Sequence, residues 1–185
     1  MTDVEIRFYE ESDAPALFEA ARESVSDLHP WLPWCHPDYA LREAEAWIAT
    51  HAEVRTAGTQ YQFAITEGEG RFLGGCGLSE VNLVHRFANL GYWVRASATG
   101  RGVAPAAVRA LADWAFRETE ILRLEILTAV GNQRSQRVAL KAGAIREGVL
   151  RDRLLLHGQP HDAVIYAILR SQWRNGRDGG LQKSR

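Results

Sequence analysis

The sequence predicts a mixed α/β domain of the α+β kind, and three observations carry that expectation. An apolar run ending at Val94 passes through Thr99-Gly100-Arg101-Gly102-Val103-Ala104 into a helix pattern. A second strand-to-helix junction, at Gly131-Asn132, follows about 30 residues later. Strand-like segments lie before, between and after the two helices, with no internal repeat and no linker.

Each element has its own local reason. Val4 to Tyr9 alternates, with Ile6 and Phe8 on one face. Ser12 is placed to cap a helix running to about Ser24, with Pro15 in its first turn. The segment His29-Pro30-Trp31-Leu32-Pro33-Trp34-Cys35-His36-Pro37 holds three prolines among aromatics and reads as a loop with large side chains. A second helix is expected over residues 39–57, with Leu41, Ala44 or Glu45, and Ile48 on its repeat. Residues 61–66 and 71–81 form a hairpin across Glu67-Gly68-Glu69-Gly70. A strand over 87–94 and a helix over 102–118 follow, with Val103, Ala107, Leu111 and Trp114 or Ala115 recurring every three to four residues. Next come a strand over 123–130 and a helix that Asn132 caps, running to Lys141 and ending at Gly143. Strands over 144–156 and 162–169, joined through His157-Gly158-Gln159-Pro160, close the domain. From Ser171 the chain turns polar, and residues 171–185 are expected to be a tail.

Composition narrows the functional classes. The chain has 185 residues, 46% hydrophobic and 24% charged, with a formal net charge of −1. That length suits one domain burying about 70% of its unfolded surface. Near-neutral charge gives no footing for nucleic acid. Two cysteines, Cys35 and Cys76, form no disulfide framework, and no metal-ligand cluster is visible. No apolar run reaches the ~18 residues of a membrane span, and Thr2, Asp3 and Glu5 do not open a signal peptide. A cytoplasmic protein without membrane or nucleic-acid partners is expected.

The strand, glycine loop and helix start at 90–104 is an arrangement that turns free backbone N–H groups and a positive helix end toward a phosphate. Side chains at Gly100 and Gly102 would hold an anion away from the backbone. The loop is neither Gly-x-x-x-x-Gly-Lys-Ser/Thr nor Gly-x-Gly-x-x-Gly, which would need a glycine at Pro105.

The loop resembles the acyl-CoA pyrophosphate signature of the GNAT N-acetyltransferases, Gln/Arg-x-x-Gly-x-Gly/Ala. Gly102 and Ala104 fall on its last two fixed positions, and Thr99, a departure, on its first. Gly131-Asn132-Gln133-Arg134-Ser135 through Val138-Ala139-Leu140-Lys141-Ala142-Gly143 resembles the Asn-x-x-Ser-x-x-Val/Leu-Ala-x-Lys/Arg-x-Gly segment of the RimJ/RimL-type ribosomal-protein branch. Trp31-Leu32-Pro33-Trp34, Gly91-Tyr92-Trp93 and Asp162-Ala163-Val164-Ile165-Tyr166 match in order, so the resemblance covers roughly residues 3–170.

It implies a seven-stranded, mostly antiparallel mixed sheet whose parallel fourth and fifth strands splay apart, flanked by helices, in one domain over 1–170. It also implies acetyl-CoA as co-substrate. By position, Trp93 and Val94 would face pantetheine, Thr99, Gly100, Arg101, Gly102, Val103 and Ala104 would hold the pyrophosphate, and Asn132 would bind the cofactor arm. Ser135 would be the catalytic group facing the thioester sulfur. Trp31, Trp34 and Tyr92, with His36, are the candidates for a substrate pocket. The acceptor would be an amine, either a protein N-terminus or a small molecule, and a homodimer is compatible with the resemblance.

Three positions that carry catalytic groups in many relatives are occupied here by Asn89, Leu154 and Ala139. The alternative reading is therefore a CoA-binding sensor that does not catalyse.

Overall fold

The computed structural model describes residues 4–173. Its strands are β1 (Val4–Phe8), β2 (Tyr61–Glu67), β3 (Arg71–Asn82), β4 (Phe87–Val94), β5 (Arg123–Ala129), β6 (Ile145–Leu156) and β7 (Gln159–Leu169). The helices are α1 (Ala14–Leu28), α2 (Leu41–Ala49), α3 (His51–Thr56), α4 (Val103–Glu118) and α5 (Gln133–Lys141). The strands form one sheet in the order β1-β2-β3-β4-β5-β7-β6, and the β4–β5 pairing alone is parallel.

Each face of the sheet is covered. On one, α4 and α5 bury Leu90, Val108, Leu111, Leu124, Ile126 and Tyr166. On the other, α1 and α2 bury Leu17, Ala21, Ile48, Phe72 and Trp93. Side chains alternate along each strand, so neighbouring residues of β4 serve different faces: Tyr92 packs toward α4 and α5, Trp93 toward α1 and α2.

Four local expectations are corrected. Ser12 is not the cap of α1. The helix begins at Ala14 after a turn over Glu11–Asp13, in which the Asp13 carboxylate accepts the Glu10 N–H at 2.8 Å and pairs with Arg7. The expected helix over 39–57 is two helices divided at Thr50, whose hydroxyl donates to the Trp47 carbonyl at 2.8 Å and competes with the helix ladder. The last hairpin is tighter than expected. His157 and Gly158 both have positive φ, the conformation of a two-residue turn, so β7 starts at Gln159. Finally, the expected tail is ordered at its start: residues 170–173 are helical, and Trp173 packs on the core beside Phe116 and donates to Asp113 at 2.6 Å. Residues 174–185 lie outside the described residues.

Candidate active site

The site begins where the parallel pairing stops. β4 and β5 are joined only at Phe87 to Asn89 against Arg123 to Glu125. Beyond Asn89, β4 stays on β3 and β5 stays on β7, so the strands separate into a cleft. Along Leu90 to Val94 the backbone groups that do not face β3 are turned toward that opening. An unpaired sheet edge is a ready partner for a ligand carrying amides.

Past β4 the chain is braced against α1. The Ala96 N–H donates to Ser24 Oγ at 2.9 Å, the Ser97 N–H to Glu23 Oε1 at 2.7 Å, and Arg95 Nε to Glu23 Oε2 at 3.0 Å. Hydrogen bonds from Arg95 and Ser97 hold the Glu23 carboxyl down at about 2. Thr99 closes this turn by donating its hydroxyl to the Ala96 carbonyl at 2.9 Å.

Gly100 and Gly102 then take φ of +77° and +81°, the left-handed region open to glycine, and a Cβ on either would meet nothing within 4 Å. No protein acceptor takes the backbone N–H groups of Arg101, Gly102, Val103 and Ala104 among the described residues. The result is an open concavity of donors at the start of a 16-residue helix, which fits the phosphate-binding role expected from sequence. Arg101 pairs with Glu67 at 2.6 Å, so its charge is already partly balanced.

Across the cleft, Asn132 caps α5 by accepting the Ser135 N–H at 3.0 Å. Its amide oxygen is thereby engaged, which leaves its NH₂ as the group available to a ligand. Ser135 and Tyr92 meet. The Tyr92 hydroxyl lies 2.9 Å from the Ser135 carbonyl oxygen and 3.0 Å from Ser135 Oγ. Burial pushes the Tyr92 phenol up to about 12, with the Ser135 hydrogen bond opposing the rise. Tyr92 therefore remains a neutral donor throughout the working pH range.

A cavity of about 430 Å³ opens on the α1–α2 face. Its walls include Tyr9, Trp34, Tyr39, Trp47 and Trp93, and Tyr92 touches it from β4 with its ring turned to the other face. Trp34 and Trp47 are 39% and 40% exposed, unusual for indoles on a folded surface and accounted for here by the hollow they enclose. Glu43 is the sole carboxylate on the lining. Its two oxygens are engaged by the Ala40 N–H at 2.8 Å and His36 Nε2 at 3.0 Å.

Of the residues expected in a substrate pocket, Trp34, His36 and Tyr92 line this cavity and Trp31 does not. Trp31 stands instead against Gly131, where a Cβ would meet its ring at 3.3 Å, so it packs beside the turn into α5. Trp93 presents its indole to the cavity while its backbone follows the free edge of β4. Cys76 is buried, and burial pushes its thiol up, away from a nucleophilic thiolate.

The sequence reading missed Tyr9, Tyr39, Glu43, Trp47, Gln62 and Gly91. Trp47 did leave a signal, an aromatic one position before Ile48 and off the apolar repeat of its helix. Nothing local distinguishes the others.

An acetyltransferase (GNAT) domain model matches residues 3–145. The Bacillus subtilis protein named "Putative ribosomal N-acetyltransferase YdaF" is 32% identical over 177 residues, spanning 92% of this chain and 93% of its own. The solved RimL ribosomal L7/L12 α-N-protein acetyltransferase in complex with coenzyme A superposes with a TM-score of 0.82 at 25% identity, covering 91% of this chain and 94% of its own. Mycobacterium smegmatis RimJ in complex with a CoA disulfide gives a TM-score of 0.85 at 26% identity, over 98% of this chain and 85% of its own. Named acetyltransferases among the relatives do not favour the sensor alternative.

Proposed function

This chain belongs to the GNAT acetyltransferase family, and from that premise we propose that it acetylates α-amino groups, of protein N-termini or of small molecules with similar basicity. That it is an N-acetyltransferase using acetyl-CoA follows from the family and its relatives. The finer reading concerns which residues act and on which amine.

Acetyl-CoA supplies the acyl group and a thiolate leaving group. The open N–H groups of residues 101–104, the two left-handed glycines and the start of α4 fit its pyrophosphate. The edge of β4 near Trp93 and Val94 would carry the pantetheine amides, and the free NH₂ of Asn132 would meet the same arm. Ser135 sits in the first turn of α5, where both its hydroxyl and the positive helix end favour negative charge on sulfur. An alcohol is a far weaker acid than a thiol, so Ser135 donates a hydrogen bond to the departing sulfur and does not hand over its proton. The amine nitrogen bonds to the acyl carbon as the C–S bond breaks, and the nitrogen's surplus proton leaves through solvent.

The observation that carries the choice of amine is that no placed carboxylate serves the cavity: Glu43 is held by Ala40 and His36, and its carboxyl lies below the usual range through those same bonds. An α-amino group, with pKa about 7.7–8.0, is roughly one-third neutral at pH 7.5, whereas a lysine near 10.4 is neutral about once in a thousand. Only the first can react without a strong base. The test is a peptide with a free N-terminus and one internal lysine, incubated with acetyl-CoA and mapped by mass spectrometry. N-terminal labelling should dominate. Predominant lysine labelling would sink the reading and send the search for a base to Glu80, Asp152 and His161.

A further inference from the structure

The aromatic cavity on the α1–α2 face is a specificity pocket, and we propose that it takes an aromatic ring carried next to the reacting amine, with Gly91 as the opening through which that amine reaches the cleft. The inference rests on the α-amine reading but makes a separate claim, about what the amine is attached to.

The floor of the cavity is formed by alternate residues of β3 and β4. Gly75, Gly77 and Gly91 line it, with Gly75 opposite Trp93 and Gly77 opposite Gly91 across the strands. The space above two of these glycines is already filled. A Cβ at Gly75 would lie 2.4 Å from the Tyr9 hydroxyl and 2.7 Å from Trp93 Nε1, and one at Gly77 would lie 2.0 Å from Gln62 Oε1. Gly91 differs. A Cβ there meets nothing within 4 Å, and its φ lies outside the left-handed region, so neither backbone conformation nor packing requires glycine. The residue leaves bare backbone between the cavity and the point where β4 parts from β5.

The walls identify the occupant. Trp34, Trp47, Tyr39 and Trp93 present flat apolar surfaces, and Trp34 stacks edge-on to both Tyr39 and Trp93 at 5.5 Å. An additional ring extends such an edge-to-face cluster. A polyamine would need carboxylates for its distal ammonium groups, and the lining offers only Glu43, which already accepts from Ala40 and His36, among flat apolar walls. Burying an unpaired ammonium is costly. Beside Gly75, the buried Tyr9 hydroxyl has no partner among the described residues.

The test has two arms. In the first, thiol release from acetyl-CoA is measured with phenylalaninamide, alaninamide and spermidine as acceptors. Phenylalaninamide should exceed alaninamide by about tenfold or more in kcat/KM, the gain expected from burying one ring, and spermidine should trail both. Gly91→Val, a residue suited to a strand, should abolish that preference while acetyl-CoA binding stays unchanged by titration calorimetry; Gly91→Ala should fall between. In the second arm, binding of N-acetylphenylalaninamide to the full chain is read by calorimetry without turnover. Binding that Gly91→Val and Trp47→Ala both weaken supports the pocket even if the preferred amine proves not to be an α-amine. Faster turnover of spermidine or alaninamide, unchanged kinetics in Gly91→Val, or no binding of the acetylated ring compound would overturn the proposal.

Discussion

At Ser135 two functions share one residue. Its N–H is given to the Asn132 cap and its hydroxyl oxygen lies 3.0 Å from the Tyr92 hydroxyl, so the residue is held from both sides. If that hydroxyl stabilises the departing sulfur, its removal should affect the rate more than the affinity, because the charge exists only in the transition state. Ser135→Ala should therefore lower kcat by roughly tenfold to a hundredfold, at or below the low end for such groups, while the acetyl-CoA dissociation constant changes little. Tyr92→Phe should lower kcat in the same direction by freeing the serine to rotate. Because the two side chains touch, the double variant should cost clearly less than the product of the single effects. Additive losses would mean that Tyr92 does not act through Ser135, and full turnover in Ser135→Ala would leave that residue a helix-turn serine and nothing more.

The glycine loop works as an element because α1 holds its near end and α4 begins at its far end. Gly102 separates backbone strain from steric blocking. Asn tolerates φ of +81° and Val does not, so Gly102→Asn should stay folded yet bind acetyl-CoA about tenfold or more weakly, having lost a backbone contact to phosphate. Gly102→Val should also lose stability. Wild-type affinity in the asparagine variant would remove the cofactor from this loop. The brace at Glu23 should be visible in acid. Its carboxyl titrates at about 2 in the fold against an ordinary 4.5, so its contribution is complete above 4.5 and disappears as pH falls toward 2. Glu23→Gln should cost about 1 kcal/mol at neutral pH, the scale of a mostly solvated pair, and the Tm gap from wild type should close between pH 4.5 and 2. Both junctions of this element were legible in the sequence because glycines and helix caps signal locally. The pairing of β4 with β5 over only three residues on each strand was not, since where two strands part is decided by the helices packed on them. The Tyr92–Ser135 bond spans 43 residues and leaves no local trace, and Trp31 and Trp34 looked alike until the fold turned one toward Gly131 and the other toward the cavity.

At the scale of the whole molecule, ordered structure reaches at least to Trp173, which covers Phe116 and reaches Asp113. Trp173→Ala should cost about 2–4 kcal/mol, somewhat less than a fully buried tryptophan, read as a lower midpoint in denaturant; a change under 0.5 kcal/mol would show that the segment adds no stability. The same global view fixes how the rate depends on pH. Glu80 faces Arg153 at 3.4 Å, and Glu43 is held toward its ionised form by Ala40 and His36. Tyr92, pushed up to about 12 by burial, stays protonated as a donor far above neutrality. With Glu43 held by its own hydrogen bonds and Tyr92 protonated as a donor, the proposed mechanism makes the acceptor's own proton equilibrium govern kcat/KM. The rate should climb as an α-amine of pKa about 7.7–8.0 deprotonates and then level off without a falling limb to about pH 10. An acceptor whose amine is one pKa unit less basic should move that rising limb down by one unit. A limb that stays in place when the acceptor is changed would instead assign the titration to a group of the enzyme.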